Sequence, residues 1–144
     1  INWLLNNGID VSLKDSDGKT ALIDAVSKNS IYSFEIKEED SSLSLETVHK
    51  IIEKSSSIIN ESDFDGNSPL MYVCERKDDT AIKLIDILIK NGSNINQQNS
   101  DGITPLISAI INGSKNNIER LLQEDSLDVN ITTVDGETAI FKLI

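Results

Sequence analysis

At 144 residues the chain is long enough for one domain, or one array of small repeating units, and too short for two large independent domains. Hydrophobic residues make up 38% and aromatics only 4%, so a core must be assembled from Ile, Leu, Val and Ala. Thirteen basic against 24 acidic residues leave a formal net charge of -11, which removes the counterion-release gain behind nucleic-acid affinity and disfavours anionic membrane surfaces.

The single cysteine, Cys74, has no partner for an internal disulfide, and with the single His49 it cannot complete a structural zinc site. This suits a reducing setting, so the expected localisation is cytoplasmic, with host-directed secretion left open. No apolar run approaches the roughly 18 residues needed to cross a bilayer. The N-terminus lacks a basic segment followed by a signal core, and it lacks a starting Met. A fragment of something longer is therefore expected.

In chain order, the first informative piece is Leu4-Leu5-Asn6-Asn7-Gly8-Ile9-Asp10-Val11-Ser12, followed by Asp17-Gly18-Lys19-Thr20-Ala21-Leu22. Both return. The first recurs as Ile51-Ile52 running to Ile59-Asn60, as Leu88-Ile89-Lys90-Asn91-Gly92-Ser93-Asn94-Ile95-Asn96, and as Leu121-Leu122 running to Val129-Asn130. The second recurs as Asp65-Gly66-Asn67-Ser68-Pro69-Leu70, Asp101-Gly102-Ile103-Thr104-Pro105-Leu106 and Asp135-Gly136-Glu137-Thr138-Ala139-Ile140, with the glycines 48, 36 and 34 residues apart.

The repeated pieces have a physical reading. Asp-Gly supplies the backbone freedom of a tight hairpin tip. Two residues later Thr20, Ser68, Thr104 and Thr138 are hydroxyl N-caps, and Pro69 and Pro105 occupy the first helical position, where a missing N–H costs nothing. A short first helix follows, with small residues (Ala25, Cys74, Ala109) where a neighbouring helix comes close. A second helix is clearest in Ile82, Leu84, Ile85, Ile87, Leu88 and Ile89, and it ends at Asn91-Gly92, suited to a left-handed closing residue.

Turn, helix, turn, helix, with four in-register copies of D-G-x-[ST]-[PA]-[LI], resembles an array of ankyrin repeats, whose unit is about 33 residues. The resemblance covers nearly the whole chain and implies an all-α solenoid of stacked helix-turn-helix units with β-turn or hairpin tips. The expected units are the end of a partial repeat (1–14), a repeat with a long insertion (15–62), two further repeats (63–98 and 99–132) and the start of another (133–144). Where the family usually carries His after Thr-Pro-Leu, this chain has Ile23, Met71, Ile107 and Phe141, so apolar contact is expected in place of a polar bridge between repeats. Lys115 and Asn117 stand where apolar residues are usual, which predicts a loose second helix in the 99–132 unit. The first unit has roughly fifteen extra residues, placed near Ser30–Ser44 between its helices, and the second has about three near Lys77-Asp78-Asp79.

The residues hold no convincing catalytic constellation. His49 falls on the outer face of a second helix between core positions Val48 and Ile51, and Cys74 reads as a buried, inert thiol. Asp15-x-Asp17-Gly18 and Asp63-x-Asp65-Gly66 resemble the opening of a calcium loop, but the closing Glu is missing and hairpin tips explain both. Glu35, Glu38, Glu39 and Asp40 read as a solvated acidic loop, and Asn60, Asn91, Asn112 and Asn130 as chance glycosylation sequences. No glycine-rich phosphate loop is present. The expectation is therefore no enzyme activity, no cofactor, no metal and no small-molecule substrate.

What the resemblance implies for binding is a concave side made of tips and first helices. Carried onto this chain, contact positions are Ser16, Asp17, Lys19, Ser27 and Lys28; Phe64, Asp65, Asn67, Glu75 and Arg76; Ser100, Asp101, Ile103, Ile111 and Asn112; then Val134, Asp135 and Glu137. Among these, Phe64, Ile103, Ile111 and Val134 would form an apolar strip rimmed by Asp65, Asp101, Asp135 and Glu75, a match for a partner with basic groups around an apolar centre. The bland alternative is that these side chains pack against neighbouring tips. The leading expectation is a monomeric, non-catalytic protein-interaction module. Alternatives are the recognition arm of a larger enzyme or secreted effector, or an array that self-assembles through its ends.

Overall fold

Each tip passes straight into a helix because a hydroxyl receives the first free N–H groups. Thr20, Ser68 and Thr104 have extended backbone, and their side-chain oxygens accept from Ile23, Met71 and Ile107 N–H at 3.4, 3.4 and 3.3 Å. Thr138 differs: a 3-10 turn follows it, in which Phe141 N–H donates to the Thr138 carbonyl at 3.1 Å.

The computed structural model describes residues 7–27 and 41–142, with backbone alone from 41 to 44. Among these residues the helices are α1 (Ala21–Val26), α2 (Ser41–Lys54), α3 (Pro69–Cys74), α4 (Thr80–Lys90), α5 (Pro105–Ile111) and α6 (Lys115–Leu121), with 3-10 turns at Ser56–Asn60 and Ala139–Lys142. No strand occurs among them, only an isolated antiparallel bridge between Thr132 and Thr138. The architecture is all-α, as the resemblance implies.

The helices form two rows. First helices α1, α3 and α5 touch in sequence, second helices α2, α4 and α6 do the same, and each first helix packs on the second helix that follows it. Between the rows lie Leu22, Val26, Leu70, Val73, Leu106 and Ala109 from one side and Val48, Ile52, Leu84, Ile85, Leu88 and Leu121 from the other. Such thin layers suit branched aliphatics, which explains the shortage of aromatics. Helix α4 shows the pattern: Ala81, Leu84, Ile85 and Leu88 are buried, while Lys83, Asp86 and Lys90 face water. Its end is closed by Gly92 at φ 91° and by Ser93 N–H donating to Leu88 carbonyl at 3.0 Å.

Polar joints connect the units despite the missing histidines. The tips are bonded side by side, with Phe64 N–H donating to Asp17 carbonyl (3.1 Å), Ser100 to Asp65 (2.9 Å) and Val134 to Asp101 (3.0 Å). At the other end of the repeats, Asn60 donates to Gly92 carbonyl (3.0 Å) and accepts from Asn94 N–H (2.7 Å). Its counterpart Asn96 donates to Ser126 carbonyl (2.7 Å) and accepts from Asp128 N–H (2.9 Å). Ile23, Met71 and Ile107 are buried as expected, but Phe141 is 63% exposed.

Two expectations need revision, and the short insertion in the second unit gains a definite shape. Helix α2 already begins at Ser41, so the last residues of the expected 30–44 insertion belong to its first turn; positions 28–40 lie outside the described residues. Helix α6 is not left loose by Asn117. That side chain is 2% exposed and its Nδ2 donates to Arg76 carbonyl at 2.7 Å and Cys74 carbonyl at 3.1 Å, with Val73 carbonyl at 3.4 Å. Lys115 points to water and pairs with Glu119 at 3.7 Å. Lastly, the turn at Lys77-Asp78-Asp79 is tied down by Arg76, which binds Asp78 through Nε (2.7 Å) and Nη2 (2.9 Å), Thr80 Oγ1 (2.7 Å) and, across the repeat boundary, Val26 carbonyl (2.9 Å).

Candidate partner-binding surface

The shape of each tip comes from one acceptor at its base. Asp15 Oδ1 accepts from the N–H groups of Asp17 (2.9 Å) and Lys19 (2.8 Å). Asp63 Oδ1 does so from Asp65 (3.0 Å) and Asn67 (2.8 Å), and Asn99 Oδ1 from Asp101 (3.0 Å) and Ile103 (2.9 Å). In the last tip Thr133 Oγ1 accepts from Glu137 N–H at 3.3 Å. These carboxylates are spent on backbone donors, which accounts for the spacing that resembles a calcium loop. Among the described residues no three His, Cys, Asp or Glu side chains come together to hold a metal ion.

Gly18 and Gly102 are needed for a second reason besides positive φ of 81° and 74°. A Cβ at Gly18 would lie 2.7 Å from Phe64 Cδ1 and N, and one at Gly102 would lie 2.8 Å from Val134 N. The next tip therefore rests on each of these glycines. This fixes the backbone of Phe64 and Val134, the residues that precede Asp65 and Asp135, and leaves their side chains at the edge.

The expected strip divides under this geometry. Phe64 (72%), Val134 (69%) and Ile111 (54%) are exposed, whereas Ile103 is half-buried and packs against the core. Asp65, Asp101, Asp135 and Glu75 are exposed beside them. Burial on one side pushes the Glu75 carboxyl up, a hydrogen bond from Ser108 Oγ (3.3 Å) opposes this, and the charge of Asp63 adds to it. Other candidate contacts are already engaged. Arg76 is held by Asp78 and Val26, and Asn67 Oδ1 accepts from Asn99 at 2.8 Å. Asn112 donates back to Ser108 carbonyl at 3.0 Å, and Glu137 pairs with Lys142. Ser16, Asp17 and Ser100 are exposed, Lys19 and Ser27 half-exposed, and Lys28 lies outside the described residues.

Tyr72 belongs to this surface and the sequence reading missed it. It stands one helical turn before Glu75 and Arg76 and so shares their face; its counterparts Asp24, Ser108 and Lys142 differ in kind, a variability that could have signalled it. Its hydroxyl donates to Asp63 Oδ2 at 2.6 Å, and Lys19 Nζ lies 5.6 Å from its ring centroid. Burial, that hydrogen bond and the charges of Asp63, Glu75 and Asp65 all push the phenol far up, so it stays protonated. Cys74 is fully buried, which raises its thiol well above the range of reactive cysteines, and His49 is exposed on α2. Among the described residues no helix is long and apolar enough to cross a membrane.

Comparison with known proteins follows the same lines. The family described as ankyrin repeats (3 copies) matches residues 39–133. An ankyrin repeat protein of variola virus, OPG189, is 29% identical over 174 aligned positions that take in 100% of this chain and 28% of that protein. A putative ankyrin repeat protein of Rickettsia bellii is 34% identical over 95 residues, covering 66% of this chain and 38% of its own length. The human transient receptor potential cation channel subfamily A member 1 is 30% identical over 97 residues, 67% of this chain and 8% of the channel. The chain thus spans well under half the length of each. Since the matched stretch contains both helix rows from α2 onward and the two middle tips, the chain belongs to the ankyrin repeat family.

Proposed function

We propose that this chain is a non-catalytic module that binds a partner protein on the concave side made by its tips and first helices. Ankyrin repeats generally mediate protein–protein interaction. The observation that carries the reading is the exposure of Phe64, Val134 and Ile111 in adjacent units, at positions where the aliphatic core has no use for them. Asp65, Asp101, Asp135 and Glu75 form the rim, and Asn67, Arg76, Ile103, Asn112 and Glu137 hold the surface in shape from behind. A partner with an apolar centre and basic groups around it is complementary to this arrangement.

Proteins captured from the native cell by the chain would be identified and their affinity remeasured with Phe64→Ser and Ile111→Ser. Each change should weaken a concave-side partner by about 2 kcal/mol, with little movement of the thermal midpoint. Leu122→Ser serves as control, since Leu122 is 56% exposed but follows the outer helix α6. A partner lost with Leu122→Ser and retained with the two concave-side changes would overturn the assignment.

A further inference from the structure

A cleft opens between the first and second tips, lined by Ser16, Asp17 and Lys19 on one side and by Asp63, Phe64, Asp65 and Tyr72 on the other. Its two aromatic walls are anchored differently. The Phe64 backbone is fixed by its N–H on Asp17 carbonyl, with one edge of its largely exposed ring beside Gly18, and Tyr72 is held by its hydroxyl on Asp63. Three aspartates face one lysine, and that lysine is already placed as a cation would be, 5.6 Å from the Tyr72 centroid and 3.8 Å from Asp17 Oδ2. Both spacings are loose. Asp65 is exposed, and its carboxylate makes no hydrogen bond or ion pair among the described residues.

We propose that this cleft receives one arginine side chain of the partner protein, its guanidinium stacked on Phe64 and hydrogen-bonded to the carboxylates of Asp17 and Asp65. The inference rests on the concave-side reading above and names the chemistry at one point of it. Arginine fits better than lysine because a planar, weakly hydrated guanidinium can stack on a ring and reach two carboxylates at once, whereas the cleft already has an ammonium of its own. A divalent cation fits poorly: Asp63 is occupied by Asp65 N–H, Asn67 N–H and Tyr72 Oη, and the Lys19 ammonium shares the space. The next junction lacks the feature, since Ser100 and Ser108 stand where Phe64 and Tyr72 do here.

The test titrates the isotope-labelled 144-residue chain with N-acetyl-arginine amide, and separately with the lysine and citrulline equivalents, following backbone amide resonances. Arginine should give saturable shifts confined to residues 16–19 and 63–72, about tenfold tighter than neutral citrulline. Asp65→Asn should abolish that preference, and Lys19→Met should tighten arginine binding by removing the internal competitor. Equal binding of citrulline, or arginine shifts spread equally over carboxylates such as Asp125 and Asp128, would overturn the proposal. If the probe fails while Ile111→Ser still releases captured partners, only the arginine site falls; if Ile111→Ser and Phe64→Ser also leave capture intact, the concave-side reading falls with it.

Discussion

Replacing Asn117 with leucine sets two readings of the same position against each other. By the pattern of the repeats the site calls for an apolar side chain, and leucine there would add roughly 1–2 kcal/mol of burial. In the structure, however, the Asn117 amide supplies the last carbonyls of α3 and the residues after it, which have no partner within that helix. Val73 carbonyl has other donors in the N–H groups of Glu75 and Arg76, but those of Cys74 and Arg76 would lose the one donor they have among the described residues. Two carbonyls left unpaired, one buried and one part-buried, cost about 1–3 kcal/mol each, so the net effect should be a loss of up to about 5 kcal/mol. Urea denaturation followed by circular dichroism reads this directly, and the midpoint of thermal unfolding should fall by several degrees. The denaturant slope should fall too, because Asn117 joins the third unit to the second across more than 40 residues. A leucine variant as stable as the parent, or more stable, would show that packing rather than the amide decides this joint.

The contact at the tips separates two glycines of equal conformation. Gly102→Ala and Gly136→Ala each force alanine to a φ near 74° or 78°, but only at Gly102 would the new Cβ strike the next tip, so Gly102→Ala should cost at least about 1 kcal/mol more by denaturant titration. Asp78 provides a pH test. Burial raises its carboxyl, yet hydrogen bonds from Arg76 and Thr80 and the charge of Arg76 outweigh this and lower it to about 2. A depressed folded value means stability that is present above the unfolded value of 3.8 and lost as pH falls toward 2. With the side chain 33% exposed, solvent screening reduces this to on the order of 1–2 kcal/mol. Asp78→Asn should be less stable at pH 7 by that amount and should lose less than the parent between pH 4 and pH 2. Parallel pH profiles would refute the coupling.

The parts of the fold that were legible in the sequence are those set within a few residues. A hydroxyl accepting from three residues ahead, Pro69 or Pro105 at the first helical position and Asn91-Gly92 at a helix end act locally, so their spacing in the chain is enough to locate the helices. Contacts between repeats were not legible in the same way. Phe64 and Ile103 both look like apolar tip residues, but they flank the turn glycine on opposite sides. Phe64 has its N–H on the preceding tip and its ring at the edge, whereas Ile103 is bonded to Asn99 and leans on the core. Asn117 looked like a misfit because its acceptors lie in another repeat. Tyr72 escaped notice because a tyrosine in a short helix resembles core until its hydroxyl is seen on Asp63.

The two acidic positions of the tips have different tasks, and this leads to a charge test. The base position needs only an acceptor, which Asp15, Asp63, Asn99 and Thr133 all provide. The position before glycine contributes its backbone carbonyl to the next tip at Asp17, Asp65 and Asp101, a bond that any residue could make. Aspartate nevertheless occupies that position in all four tips, with exposed side chains. Changing Asp17, Asp65, Asp101 and Asp135 to Asn preserves the turn chemistry and the ladder while moving the net charge from -11 to -7. Stability should hold or rise slightly as self-repulsion falls, whereas association with a basic partner should slow and lose much of its salt dependence. A fall in stability would show that the carboxylates hold the tips themselves, and unchanged association kinetics at low salt would show that the row of aspartates does not steer the partner.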